Sequence, residues 1–420
     1  MSAKKEILVY ADWQGFKKPF LMGVLNASPA KGKEVFSFEY TKEWLNAGFT
    51  HLLDPDLQHF TGRYFPSNNK QNFGLFLDSC PDRWGRVLMD RREAIMARNE
   101  KRPIKKLLES DYLLGVFDAN RMGGLRFKLN ESDVFLNNDK SRAAPPFTSL
   151  RELEQASLKF EEDNSTDDDN LKWINLLLAP GASLGGARPK SSVVDSKGNL
   201  WIAKFPSIND EKNIGAWEMV VNKLATEAGI NMAQGEIKKF KNKHHTYLTK
   251  RFDRTEKGER IHFASAMTLL GYTDGMDYQD GVSYLELAEF ITRHGAAINQ
   301  DLEELWRRIV FNIAIKNTDD HLRNHGFVLS ERGWKLSPAY DINPNEYGTG
   351  LSLNISETDN SLNLDLALSV APYFRIDAKK GAAIIKKIKT TVSNWQSIAK
   401  EFGITKQEQN RMEQAFTVIF

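Results

Sequence analysis

The chain has 420 residues, with 57 Lys and Arg against 55 Asp and Glu, so its formal net charge is +2. That balance excludes a polycation held to nucleic acid by bulk charge, and 41% hydrophobic residues with 11% aromatics exclude disorder along the whole length. A single cysteine, Cys80, rules out an internal disulfide or a Cys-rich zinc site and points to a reducing compartment.

The N-terminal stretch MSAKKEILVYADW has no apolar run of signal-peptide type. The longest apolar run, around Trp173 to Ala179, falls well short of the about 20 residues that span a bilayer. A cytoplasmic protein with no membrane partner is the expectation. Ile7 to Tyr10 predicts a short strand, and alternation from Glu34 to Tyr40 predicts a half-buried one. Residues 74–98 lead into an Arg- and Met-rich helix, and Arg98, Lys101, Arg102, Lys105 and Lys106 read as a solvated face. Residues 137–170, with Pro145-Pro146 and an acidic run from Glu161 to Asp169, read as a boundary.

Beyond it, a helix over Leu171 to Leu178 precedes a glycine-rich turn, Pro180 to Lys190. A hairpin follows, Ser191 to Val194 and Leu200 to Phe205, turning at Ser196 to Asn199. Ala216 to Ala228 has helical spacing, and a further strand carries Tyr247, Leu248 and Arg251 to Arg254. From about 256 to Lys316 the pattern is mostly helical. Phe327 to Leu336 predicts another hairpin, and the last 50 residues predict two helices. The basic residues Lys379, Lys380, Lys386, Lys387 and Lys389 interleave with Ile384, Ile385 and Ile388, as on an amphipathic helix with a solvated face.

The strongest chemical constellation runs from Asn317 to Asp341. Phosphoryl transfer needs a carboxylate beside the attacking hydroxyl and oxygen ligands for magnesium. Asp319 and Asn324 have the Asp-x-x-x-x-Asn spacing, and Asp341 lies beyond a hairpin. Two other readings stand beside it: Asp319 and Asp320 cap a loop, or His321 and His325, four apart, hold a hydrolytic metal from a helix. Lys204 sits on the second strand of the hairpin, where triphosphate oxygens and a carboxylate would justify it, and Glu218 near the start of the next helix supplies that carboxylate. A snorkelling edge-strand lysine is the plain alternative. The glycine-rich turn is neither a Walker motif nor GxGxxG, but its position before the Lys204 strand follows the order of a protein kinase. Cys80 reads as a packed small residue.

These residues resemble the HipA toxins of bacterial type II toxin–antitoxin systems over nearly the whole chain. Phe73 to Asp78, Pro81 to Arg86 and Asn120 to Phe127 resemble that family's N-terminal subdomain. Ser183 to Lys190 is similar to its phosphate loop, Thr318 to Asn324 to its catalytic loop and Tyr340-Asp341-Ile342 to its magnesium site. The resemblance implies an α+β, protein-kinase-like bilobal fold with an N-terminal α/β subdomain: 1–145, a small lobe over 146–255, and a helical large lobe over 256–420.

It also implies ATP- and Mg2+-dependent serine/threonine protein phosphorylation in the bacterial cytoplasm. Asp319 would be the base, with His321 beside the reacting phosphate. Asn324 and Asp341 would hold magnesium. Ser183, Gly185, Gly186, Ala187, Lys190 and Lys204 would bind the nucleotide with Glu218 in support, and main chain at Lys250 to Phe252 would meet adenine. Ser183 would be autophosphorylated, switching the enzyme off. The partners implied are a helix-turn-helix antitoxin, operator DNA reached mainly through it, and a protein target such as an aminoacyl-tRNA synthetase, with growth arrest and persistence as the outcome. Asp320 departs from the glycine of the best-known toxin and leaves the base assignment open between two carboxylates. A silent scaffold acting as co-repressor and a small-molecule kinase are the rival classes.

Overall fold

The computed structural model describes residues 4–67, 70–162, single positions between 171 and 177, and 188–419. It divides into two compact units. The first comprises 1–209 and 250–264, the second 210–249 and 265–420.

The first unit is built on a five-stranded antiparallel sheet in the order β4-β3-β2-β1-β5: β1 Lys5–Ala11, β2 Phe20–Ala30, β3 Lys33–Tyr40, β4 Arg63–Tyr64 and β5 Leu125–Lys128. Alternation in β1 buries Ile7, Val9 and Ala11 on one face. β2 and β3 close through Lys31 and Gly32, both at positive φ (+43° and +80°), the type I′ geometry that matches strand twist. The sheet packs on an aromatic core containing Trp13, Phe38, Trp44, Phe73, Phe76 and Phe127. His262 stacks on Trp13 with 4.6 Å between ring centres.

The Arg83–Asn99 helix starts at Asp82, whose carboxylate accepts from the Gly85 amide at 2.9 Å. The other carboxylate oxygen takes Lys190 Nζ at 2.8 Å, both side chains being buried. Lys190 opens β6 (Lys190–Val194), which pairs antiparallel with β7 (Leu200–Lys204). The stretch read as a boundary contains a helix over Leu150–Glu162, whose Leu150, Leu153, Ala156 and Phe160 are buried. Helical spacing there outweighs the flanking prolines and acids.

A buried ion cluster anchors residues 250–264. Asp253 accepts from Arg251 Nη2 and Arg254 Nη1, each at 2.6 Å, and from the Gly123 amide at 2.8 Å. Arg251 also donates to the carbonyls of Asn120 and Arg121. Opposed guanidinium charge holds the Asp253 carboxyl far below the usual range despite burial. The strand expected to reach Arg254 stops at Lys250, because Arg251 and Asp253 turn into this cluster.

In the second unit, β8 (Gly235–Lys238) pairs with β9 (Thr246–Lys250), and the Ile214–Ala228 helix is capped by the Asn213 side chain. The Ile298–Ile315 helix is the core element, burying Leu302, Leu305, Trp306, Ile309, Phe311 and Ile313. Gly326–Ser330 and Gly333–Leu336 form the expected hairpin. Between 266 and 316 the chain is mostly helical, as expected, with long helices at Tyr284–His294 and Ile298–Ile315 preceded by a short helix Ala266–Leu269 and irregular chain before Tyr284. The C-terminal part carries three α-helices, Ala378–Val392, Trp395–Glu401 and Lys406–Met412, rather than two. Among the described residues no helix is long and apolar enough to cross a membrane.

Candidate active site

The Ile298–Ile315 helix ends at Lys316 in the left-handed conformation (φ +49°), which turns the chain sharply into Asn317 to Asn324. Asn317, buried, donates to the Asn312 side chain at 3.1 Å, and Thr318 accepts from Ser352 at its carbonyl and from Asn345 at its hydroxyl, both at 2.7 Å. The loop is thus fixed from two sides before its acidic residues are reached.

Asp319 and Asp320 then point opposite ways. The Asp320 side chain is buried, accepting from Asn312 Nδ2 and from the Ser352 amide, both at 3.1 Å, and burial drives its carboxyl well above the usual carboxylate range. Asp319 is 83% exposed with its carboxyl 3.8 Å from His321 Nε2. Its pKa is raised, first by desolvation and then by the Asp341 carboxylate, while His321 opposes; solvent screens all three influences.

His325 does not form a two-histidine metal pair with His321. Residues Leu322–Asn324 make a 3-10 turn rather than a helix, and His325 is buried against the Asp320 carbonyl, its pKa pushed down to about 3. The hydrolytic-metal alternative therefore has no helical histidine pair behind it. The pKa of Cys80 is pushed up to about 12 by burial, which leaves a packed thiol.

Asn324 Nδ2 donates to the Asp319 carbonyl at 2.7 Å, while its Oδ1 is buried with no hydrogen-bond partner among the described residues. Asn343 Oδ1 is in the same condition, and Asn343 Nδ2 lies 3.3 Å from Asp341 Oδ1. Asp341 itself stands at φ +56°. Unsatisfied amide oxygens beside carboxylates are the hard donor set of magnesium, which commonly completes its shell with phosphate oxygens and water. The residues therefore fit such an ion, although among the described residues no group of three or more His, Cys, Asp or Glu could hold a metal unaided.

Glu218, buried on the Ile214–Ala228 helix, and Asp341 both act electrostatically on the buried Tyr247 hydroxyl, whose pKa burial drives well above its ordinary value. Tyr247 also accepts from Asn222 Nδ2 at 3.2 Å. The second unit thus brings Glu218, Asp319, His321, Asn324 and Asp341 into one region, with Tyr247 as a member that no sequence motif marks. In the first unit Lys204 is half-buried and stands opposite Lys190 in the β6/β7 register. Lys250 and Phe252 are half-buried, and the Phe252 ring lies 6.0 Å from that of Phe263. Ser183, Gly185, Gly186 and Ala187 lie outside the described residues.

Residues 182–409 match the family model described as HipA-like C-terminal domain. A putative kinase of Haemophilus influenzae is 27% identical over 181 residues, covering 39% of this chain and 52% of the relative, so the chain spans about half the length of that protein. The serine/threonine-protein kinase toxin HipA of Shewanella oneidensis is 24% identical over 339 residues, 74% of this chain and 70% of that one. A chain in the solved complex of Shewanella oneidensis HipA, HipB and operator DNA superposes with a TM-score of 0.59 at 17% identity, covering 98% of this chain and 95% of that chain, and carries the same fold.

Proposed function

The chain belongs to the HipA family and has its kinase-like fold, and from that premise we propose that it is an ATP- and magnesium-dependent serine/threonine protein kinase, the toxin of a toxin–antitoxin pair. One observation carries the reading. The Asn317 to Asn324 loop turns Asp319 outward and leaves Asn324 Oδ1 without a hydrogen bond from any described residue, in the region of Asp341.

In this reading Asp319 accepts the hydrogen bond of the attacking Ser or Thr hydroxyl and orients it. Asn324 and Asp341 hold the magnesium, which when bound neutralises charge on the transferring phosphate. His321, with Nδ1 lacking a hydrogen-bond partner among the described residues, stands beside the reacting group. Lys204 binds ATP phosphates, Glu218 supports nucleotide binding, and main chain at Lys250 to Phe252 meets adenine. Ser183 to Ala187 would wrap the phosphates. Lys190 is paired with Asp82 and would reach a phosphate only by leaving it. Positioning and electrostatics supply the rate, with no covalent intermediate.

Phosphorylation of Ser183 would add about −2 charge next to the nucleotide phosphates and shut the site by repulsion. A helix-turn-helix antitoxin, with DNA reached through it, and a translation component such as an aminoacyl-tRNA synthetase are the proposed partner and target. The Shewanella HipA complex with HipB and operator DNA supports the first.

Intact-mass measurement after incubation with ATP and magnesium tests the reading, comparing the native chain with Asp319→Asn. One added phosphate on the native chain alone, mapped to Ser183, is expected. An unmodified starting chain that binds ATP and gains nothing would overturn it in favour of a silent scaffold or a small-molecule kinase.

A further inference from the structure

Three asparagines join Asp341 to Asp320 by one run of hydrogen bonds. Asn343 donates its side-chain amide to Asp341 Oδ1 at 3.3 Å and its main-chain amide to Asn317 Oδ1 at 3.4 Å. Asn317 Nδ2 donates to Asn312 Oδ1, and Asn312 Nδ2 to Asp320 Oδ2, both at 3.1 Å. Asn312, Asn317 and Asp320 are buried, so water does not compete for their bonds.

The run has only one possible sense. It leaves Asn343 from a main-chain N–H, which can only donate. Asn317 must therefore turn its oxygen toward Asn343 and its NH2 toward Asn312, and Asn312 must turn its NH2 toward Asp320. The other oxygen of Asp320 meets a second donor, the Ser352 amide, at 3.1 Å. Residue 320 thus needs two accepting oxygens, which a carboxylate offers and an amide does not. Ser352 Oγ also holds the Thr318 carbonyl at 2.7 Å. Both neighbours of Asp319 are clamped, and its exposed carboxyl is the middle of a fixed tripeptide.

We infer that Asp320 is a positioning residue and not a second base: through Asn312, Asn317 and Asn343 it ties the placement of the Asp319 loop to that of Asp341. The inference rests on the kinase reading and gives the two adjacent carboxylates separate roles. Asp320, Asn312 and Asn317 act through Asp319 and Asp341 rather than on the reacting groups.

The test measures the maximal phosphorylation rate and the half-saturating ATP concentration of the full chain with magnesium, after prior treatment with a phosphatase, beside thermal melts. Asp320→Asn sets a donor against a donor wherever the amides come to rest. It should lower the maximal rate about 100-fold, the cost of a small misplacement, with half-saturating ATP within about 2-fold of native. Asn312→Asp, which sets oxygen against oxygen, should do the same. Combining Asn312→Asp with Asp320→Asn restores every bond of the run with the carboxylate moved onto the Ile298–Ile315 helix. That chain should return to within about 10-fold of the native rate, a rescue that a base at 320 would not permit. Native rates in both single variants would overturn the inference, as would a combined variant that melts like the native chain and stays as slow as the singles. Should the singles fail to fold, Asn343→Ala decides, since it removes only the bond to Asp341: at least about a 10-fold lower rate is expected, and a native rate would overturn the inference. A native chain that binds ATP and transfers no phosphate would overturn the kinase reading and the inference together.

Discussion

Asn324 donates its side-chain amide to the main-chain oxygen of Asp319 at 2.7 Å, and the same bond turns its own carbonyl oxygen to a position where none of the described residues hydrogen-bonds it. One contact therefore sets two things: the path of the chain at the exposed carboxylate, and the aim of an oxygen suited to a cation.

Replacing Asn324 with Ala removes both. The magnesium concentration for half-maximal phosphotransfer should rise about 10- to 100-fold, the usual effect of losing an orienting contact at a metal site. A magnesium titration of Ser183 phosphorylation measures it. An unchanged requirement would remove Asn324 from the site.

Asp341 occupies the left-handed region at φ +56°, which Asn tolerates and a β-branched residue does not. Asp341→Asn should keep unfolding free energy within about 0.5 kcal/mol while phosphotransfer falls about 100-fold or more, ~2.7 kcal/mol of transition-state stabilisation. Asp341→Val should lose activity and also about 1–2 kcal/mol of stability. Denaturant melts beside initial rates separate the two.

His262 lies buried against Trp13, and desolvation drives its pKa down from 6.5 to about 3. The folded state refuses a proton that the unfolded chain accepts, so stability present above pH 6.5 drains away as pH falls from 6.5 toward 3. At pH 5.5 this one residue costs about 1.4 kcal/mol. His262→Phe should keep the stacking and flatten the Tm profile between pH 7 and 5. A profile parallel to the native one would contradict this origin.

Asp253→Ala leaves Arg251 and Arg254 buried without their carboxylate. Loss of about 3–5 kcal/mol is expected, the range for one partner of a buried pair. Urea unfolding followed by tryptophan fluorescence reads it; a loss under about 1 kcal/mol would mean the cluster is neutral to stability.

The elements legible in the sequence were those with a local signature: the helix after Ile214, the hairpins on either side of Gly198 and at Gly333, and the loop between Asn317 and Asn324, where residue types and spacing coincide. The opposite orientations of Asp319 and Asp320 were not legible. They depend on Asn312 and Ser352, eight residues before and 32 after. Arg251 and Asp253 alternate as a strand would, yet their partners lie about 130 residues away at Asn120 to Gly123. The Leu150–Glu162 helix was hidden by neighbouring prolines and acids, although its apolar spacing is regular. Tyr247 carries no motif, and only packing brings it near Glu218 and Asp341.

The contact between Asp253 and the Gly123 amide also bears on how the chain emerges from the ribosome. Residues 250–264 complete a unit that begins at the N-terminus, and 40 residues of the other unit are threaded between. Until Arg251 and Asp253 have left the exit tunnel, the amide of Gly123 and the carbonyls of Asn120 and Arg121 wait for these partners. Vectorial folding therefore cannot finish the first unit alone. A nascent chain stalled or cut before Asp253 would carry that half of the molecule incomplete, a natural substrate for chaperones and proteases.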